Sequence, residues 1–346
     1  MKILITGNMG YVGPAVVKHL RQRFPHAVLH GYDTGYFAHC LTGAAQFPER
    51  LLDLQIYGDV RTLPAASLRG YDAVVHLAAI SNDPMGNRFA AVTAAINQDA
   101  SIALARAAAA AGVGHFVFAS SCSVYGVAAG RPKREEDELN PVTAYATSKI
   151  GTERGLADIG GDMVVTCLRF ATACGMSDRL RLDLVLNDFV ACALTQRRIT
   201  VLSDGTPWRP LIDVADMARA IEWAATRDAD NGGRFLVVNA GRNEANYQVR
   251  DLAHAVASTV SQCEVDINLA APADSRSYQV DFGRYAELAP DHLPRLTLAD
   301  SINRLVDGLA GMGFADPNFR NAALMRLVVL QGHIEHGRLT EDLTWL

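Results

Sequence analysis

The sequence predicts an α/β fold: a doubly wound parallel sheet followed by a smaller C-terminal α/β lobe. Three observations carry this. Short apolar runs alternate with helical segments as far as Arg169, a glycine-rich turn joins the first strand to the first helix, and the rhythm changes near Leu180 with no Pro/Gly-rich linker between. Alternating β and α at this spacing requires a parallel sheet covered by helices on both faces.

Taken in order, Ile3–Thr6 is an apolar first strand, then come glycines and a helical pattern at Ala15–Arg23. Ala27–Tyr32, Leu54–Tyr57, Ala73–Leu77, His115–Ala119 and Val164–Arg169 read as strands two to six. Ala91–Ala111 is Ala-rich and helical, stopped by Gly112, and Thr143–Asp158 is a helix before Gly160-Gly161. Beyond Leu180 the pattern predicts helices at Leu182–Thr195, Asp213–Thr226, Val249–Val260, Leu296–Gly311 and Asn318–His336. Short strands are expected at Thr200–Leu202, Phe235–Ala240 and Val265–Leu269.

Length and composition fit this plan. The 346 residues suit one large domain with a smaller lobe. Hydrophobic content of 49% and a mean hydropathy of +0.07 fit a soluble protein with a sizeable core. No apolar run reaches the roughly 18 residues that span a membrane, and MKILITG reads as a strand, not a secretory leader. Net charge is −5 with no basic cluster, so no nucleic-acid footprint is expected. Cys40, Cys122, Cys167, Cys174, Cys192 and Cys263 are scattered without a CxxC pair. They read as reduced thiols of a cytoplasmic protein, and no metal site is expected.

The turn TGNMGYVG places Gly7, Gly10 and Gly13 between a strand and a helix, spaced GxxGxxG. Glycines there let backbone approach a pyrophosphate at a helix N-terminus. Asp33 closes the second strand, 20 residues after Gly13, where a carboxylate accepts from the adenosine ribose hydroxyls. It would repel a 2′-phosphate, and no Arg or Lys follows within Thr34–Ala38, so NAD is expected over NADP. Asp59, after the third strand, could accept from the adenine amino group.

AYATSK holds Tyr145 and Lys149 one helical turn apart on a shared face. A nearby ammonium favours phenolate, so Tyr145 is expected to have a lowered pKa and to exchange a proton with a sugar hydroxyl or ketone. Lys149 could also hold the nicotinamide ribose, and Ser121 could hydrogen-bond the same substrate oxygen.

With these residues in place, the chain resembles the extended short-chain dehydrogenase/reductase superfamily, in its branch of NAD-dependent nucleotide-sugar epimerases and dehydratases. TGNMGYVG, GDV at 58–60, HLAA at 76–79, SSCSVYG, YATSK and RPLIDVADMARA fall in the expected order across about residues 1–310. The resemblance implies a Rossmann-type sheet and makes Ser121, Tyr145 and Lys149 the catalytic triad. It puts Val60, Leu77 and Ala78 on the cofactor, and Arg209, Arg276 and Asn187 near the diphosphate of a nucleotide-sugar substrate. The expected division is residues 1–178 for the NAD-binding domain, with later segments returning to it, and 179–346 mainly for the substrate lobe and C-terminal helices. Family members often dimerise through helices flanking the sheet, here near Ala91–Ala111 and Thr143–Asp158, so a homodimer is expected.

The stretch SSCSVYG narrows the chemistry. Related 4,6-dehydratases carry an Asp-Glu pair where this chain has Cys122 and Ser123, and neither replacement moves a proton readily at neutral pH. Cys122 reads as a small filler. Elimination is therefore disfavoured, and a C4 epimerase that oxidises and re-reduces one sugar carbon is expected. A sugar ketoreductase or dehydrogenase with exchanging cofactor is the alternative, followed by a 4,6-dehydratase and by a non-catalytic dinucleotide sensor. Two departures stand out. Thr172 replaces an Asn common in sugar 4-epimerases, and Arg179 or Arg181 could add a substrate contact. His76 reads as structural, Asn82-Asp83-Pro84 as a loop near the nicotinamide, Arg134–Glu138 as a solvated charge run, and His333–Leu346 as a surface helix and tail.

Overall fold

The computed structural model describes residues 1–43, 45–128, 130–271 and 276–346. Its strands are β1 (Lys2–Thr6), β2 (Val28–Asp33), β3 (Leu54–Tyr57), β4 (Ala73–His76), β5 (His115–Ser121), β6 (Val164–Phe170), β7 (Thr172–Cys174), β8 (Arg198–Val201), β9 (Trp208–Asp213), β10 (Phe235–Ala240), β11 (Asn246–Gln248) and β12 (Glu264–Ile267). Its α-helices are α1 (Gly13–Arg23), α2 (Asp83–Arg88), α3 (Ala90–Thr93), α4 (Ser101–Ala110), α5 (Ala144–Ala157), α6 (Val185–Gln196), α7 (Val214–Thr226), α8 (Val249–Thr259), α9 (Gly283–Leu288), α10 (Leu298–Gly311) and α11 (Arg326–Glu335).

The expected doubly wound sheet is present. Seven strands run β10-β6-β5-β4-β1-β2-β3, every pairing parallel. Ile3, Ile5, Val75, Val117 and Leu168 share one buried cluster with α1, α6, α7, α8 and α10. Leu4, Val74, Phe116, Phe118 and Val165 face the other way, onto α4, Leu156 and Leu330. Burial on both faces is why these strands read as nearly continuous apolar runs. The order reverses between β1 and β4, and the crevice that a parallel sheet leaves at such a switch point is where ligands bind.

Several elements differ from expectation. The Ala-rich helix is not uniform: Ala94–Ala100 between α3 and α4 is π-helical. The wider turn presents Asn97, whose side chain accepts from Ile80 N at 2.8 Å and donates to Ile80 O at 2.9 Å and to Ser148 Oγ at 3.1 Å. It thereby ties the loop after β4 to α5. A small sheet β11-β9-β7, the pair β12-β8, and α9 complete the lobe; the strands β7, β9 and β11 and helix α9 were not expected.

The C-terminal stretch is not a surface helix and tail. Only Arg326–Glu335 of the expected Asn318–His336 helix is α-helical, with a 3-10 turn at Phe319–Asn321. Beyond it the chain docks, with Leu339 and Leu343 2% and 0% exposed. Trp345 Nε1 donates to Thr34 O at 2.7 Å, Tyr36 Oη donates to Leu343 O, and Arg61 donates to Asp342 O at 2.8 Å. The Arg134–Glu138 run is solvated except at Glu135, whose carboxylate accepts from Asn239 N at 2.8 Å, and at Asp137, whose carboxylate accepts from Arg134 N at 2.8 Å and from Arg131.

Candidate active site

The strand register brings Thr6, Asp33, His76 and Ser121 to the same sheet edge. A cavity of about 810 Å³ opens above it, at the large end of the range for small-molecule sites.

Gly7 and Gly10 line this cavity, with the backbone of Tyr11 and Val12. Gly7 has a φ of +75°, and a Cβ there would meet Ala78 N at 2.4 Å, so glycine is required. Gly13 does not line the cavity: it is buried, and a Cβ would stand 2.0 Å from Asn8 O. Its role is close packing of helix on turn, a correction to reading it as a contact. No side chain caps α1, which leaves its first N–H groups to an anion. Asp33 Oδ2 accepts from Met9 N at 3.0 Å and Oδ1 from Gly35 N at 2.7 Å. Burial pushes its pKa up, and these two bonds work against that rise. Asp59, Val60, Leu77 and Ala78 also line the wall. The Asp59 carboxylate, however, is gripped by Arg61, at 2.8 Å from the backbone N and 2.9 Å from Nε. An uncapped helix start, a buried ribose-type acceptor and apolar walls suit a dinucleotide.

Ser121, Tyr145 and Lys149 meet in the same cavity. Thr143 caps α5, its Oγ1 accepting from Ala146 N at 3.1 Å and donating to Asp83 Oδ1 at 2.7 Å. This fixes the first turn, which carries Tyr145 into the cavity beside Ser121. Lys149 is 3% exposed, donates from Nζ to Ala119 O at 2.7 Å and lies over the Phe118 ring at 4.6 Å. Burial brings its pKa down to about 7, with Glu153 pulling the other way. Tyr145 departs from expectation. Burial pushes it up to about 12, against the Ser121 hydrogen bond, which lowers it; Asp83 adds to the rise and Arg181 opposes it. Lys149 Nζ lies 5.5 Å from the Tyr145 ring centroid, yet desolvation outweighs the cations around the phenol. The phenol is thus a proton donor here, and the amine next to it exchanges its proton near neutral pH.

His76, Glu153 and Cys122 each have partners. His76 is neutral, its pKa brought down to about 3 by burial and by Lys149. Thr6 Oγ1 and Ser101 Oγ sit 2.6 and 2.7 Å from its ring nitrogens, as a structural histidine requires. One turn beyond Lys149, Glu153 pairs with Arg169 at 2.7 Å, both 5% exposed, and accepts from Ser120 Oγ at 2.5 Å. Cys122 is fully buried, donates to Arg169 O at 3.1 Å, and has its thiol pKa held up by burial. Ser123 lines the cavity.

Of the substrate candidates, Arg209 and Arg276 line the cavity together: Arg209 donates to Arg276 O, and Arg276 pairs with Asp83 at 2.8 Å. Asn187 is corrected. It is fully buried and off the cavity wall; its amide accepts from Gly175 N at 3.1 Å and donates to Tyr11 Oη at 3.0 Å and Arg181 O at 2.8 Å. Both of its N–H groups are used, and from its place behind the wall it braces Tyr11, Arg181 and Gly175. Arg181 reaches the cavity, bonded to Asp183 at 2.8 Å and Ser81 Oγ at 2.9 Å, whereas Arg179 pairs behind the wall with Glu49. Thr172 lines the cavity too. The sequence reading missed Asp183, which also accepts from Asn82 Nδ2 at 2.6 Å, and Arg320 and Arg326. The charge-rich MSDRLRLD was the only signal for the first; the two arginines carried none.

A family model described as the NAD dependent epimerase/dehydratase family matches residues 3–241. The chain is 30% identical over 237 residues to YtcB of Bacillus subtilis, named an uncharacterized UDP-glucose epimerase, covering 64% of this chain and 71% of that protein. It is also 30% identical over 273 residues to the UDP-glucose 4-epimerase of Streptomyces lividans, covering 74% and 80%. Among solved structures it is similar to MoeE5 in complex with UDP-glucose and NAD, at a TM-score of 0.74 and 25% identity, covering 90% of this chain and 99% of that one. The glycine turn, Asp33 and the Ser-Tyr-Lys cluster all fall inside the matched span, and the chain belongs to the NAD-dependent epimerase/dehydratase family of extended short-chain dehydrogenase/reductase enzymes, with NAD as its cofactor.

Proposed function

We propose that this enzyme is a nucleotide-sugar epimerase that inverts one carbinol centre, C4 by preference, through a transient keto sugar. The observation that carries the reading is the pair Cys122 and Ser123: a sealed thiol and a hydroxyl stand where elimination needs mobile carboxyl protons. The nearby carboxylates, Asp83 and Asp183, are tied to Arg276 and Arg181. NAD when bound supplies the hydride acceptor and donor. Ser121 and Tyr145 hold the sugar oxygen, Tyr145 carries its proton, and Lys149 passes that proton on and holds the nicotinamide ribose. Gly7, Gly10, Asp33, Val60, Leu77 and Ala78 bind the cofactor. Arg209 and Arg276 clamp the substrate diphosphate with guanidinium forks. Residues 1–178 form the cofactor half, to which β10 and the C-terminal segment return, and 179–346 mainly the substrate half. The working unit is a homodimer in the cytoplasm.

The test is proton NMR of the purified protein with a panel of nucleotide sugars and no added cofactor. Inversion of one centre without net redox supports the reading. Turnover only with added NADH, NADPH or NAD would make the enzyme a reductase or dehydrogenase, and a 4-keto-6-deoxy product would make it a dehydratase; either would overturn it.

A further inference from the structure

Five arginines reach the cavity wall: Arg181, Arg209, Arg276, Arg320 and Arg326. Arg181 is paired with Asp183, Arg276 with Asp83, and Arg320 with Asp188. Arg326 differs. It is 1% exposed, and among the described residues no carboxylate lies within ion-pair distance of it. Its guanidinium donates to Arg179 O at 2.8 Å and stacks over the Phe37 ring at 4.7 Å. Burial is the main cause that brings its pKa down to about 10; Arg181 and Arg179 oppose its charge, and Cys40 and Asp183, the latter already paired with Arg181, support it. A buried cation without an ion-paired carboxylate of its own is disfavoured unless an anion joins it.

Its position says which anion. Phe37 belongs to the segment just after Asp33, on the adenosine side of the cavity, and lines that cavity itself. Arg179, whose carbonyl Arg326 holds, is linked through Ser177 to the glycine turn: Ser177 Oγ donates to Tyr11 O at 2.6 Å and accepts from Arg179 N at 3.2 Å. Arg326 therefore stands beside segments that flank both the glycine turn and Asp33. It is held there firmly. His333, two turns along α11, bonds Tyr36 O at 3.0 Å, and the docked tail pins the same loop at Thr34 and Tyr36.

We propose that Arg326 is a cofactor-binding residue: α11 forms a second wall of the dinucleotide site, and this guanidinium compensates the charge of the cofactor diphosphate. The residue lies outside the span matched by the family. The assignment holds whether the enzyme epimerises or reduces its substrate.

Arg326→Met, similar in volume and uncharged, tests this in the full-length protein. NAD retained through purification is measured by acid release. Dissociation constants of stripped protein for NAD, ADP-ribose and adenosine are then measured by calorimetry. Expected are lower NAD retention and about tenfold or greater weakening toward NAD and ADP-ribose, a typical loss for one charged contact. Adenosine affinity should be unchanged, the melting temperature of the stripped protein should not fall, and Arg326→Lys should recover part of the affinity. A parallel loss of adenosine affinity would overturn the proposal, because it would mean a distorted pocket. So would a lower melting temperature with an unaltered NAD constant, which would make Arg326 a structural residue only. Weakened nucleotide-sugar binding with unaltered NAD binding would reassign its charge to the substrate and overturn it as well.

Discussion

Removing the amine of Lys149 should stabilise the cofactor-free protein while abolishing activity. Lys149 is 97% buried by its 3% exposure, and its one hydrogen bond goes to Ala119 O. The fall from 10.5 to about 7 corresponds to about 5 kcal/mol against the charged form. The sign follows from linkage. Below pH 7 the amine is protonated in both folded and unfolded chains, and the folded state carries the whole penalty. Between pH 7 and 10.5 the unfolded chain binds a proton that the folded chain does not, so the penalty fades as pH rises. Lys149→Met also leaves Ala119 O unpaired, an offset of about 1–3 kcal/mol. The net expected gain at pH 6 is about 2–4 kcal/mol, or about 3–6 °C for a chain of this length. The assay is urea unfolding of stripped wild type and Lys149→Met at pH 6, 8 and 10, reading the difference so that other titrating groups cancel. The variant should lead at pH 6 and lose its lead by pH 10. A variant less stable at pH 6, or a difference flat with pH, would refute the reasoning.

Other outcomes follow from the same geometry. Tyr145→Phe keeps the ring and removes the proton carrier, so kcat should fall about 10²- to 10⁴-fold while substrate affinity, measured by calorimetry, stays within a fewfold of wild type. Glu153→Ala strands the buried Arg169 guanidinium and should destabilise by about 3–5 kcal/mol in urea unfolding, whereas Glu153→Leu with Arg169→Met should recover most of the loss. Gly13→Ala places a methyl 2.0 Å from Asn8 O; soluble yield and melting temperature should both drop, more than for Gly10→Ala, whose methyl would sit 3.2 Å from Gly7 O.

The central strands and the meeting of Ser121, Tyr145 and Lys149 in one cavity were legible because local pattern and tertiary placement coincide there. Val74, Val117 and Leu168 are apolar in sequence and buried on a two-sided sheet. Tyr145 and Lys149 need only one helix to meet. The small sheet was not legible: β9 contains Pro210, a residue that argues against a strand, and it pairs with three-residue strands contributed from both sides in sequence. The π-helical turn was hidden because Ala94–Ala100 has ordinary helical composition, and the cause lies in what Asn97 bonds. Asn187 misled because its type suits a ligand, yet its amide is consumed by Gly175, Tyr11 and Arg181. The raised pKa of Tyr145 was not legible because spacing shows a neighbour's charge but not the loss of water.

The docked tail also sets an order of events during synthesis. Residues 34–37 and Arg61 emerge from the ribosome early, while their partners between Asp342 and Trp345 come nearly three hundred residues later. Until then Tyr36 and Phe37 lack that cover, and the cavity beside Asp33 lacks the wall that the C-terminal segment supplies. Domains that begin to fold from the N-terminus hold such surfaces open to wrong partners, so bound dinucleotide at this stage would occupy the gap that the tail later closes.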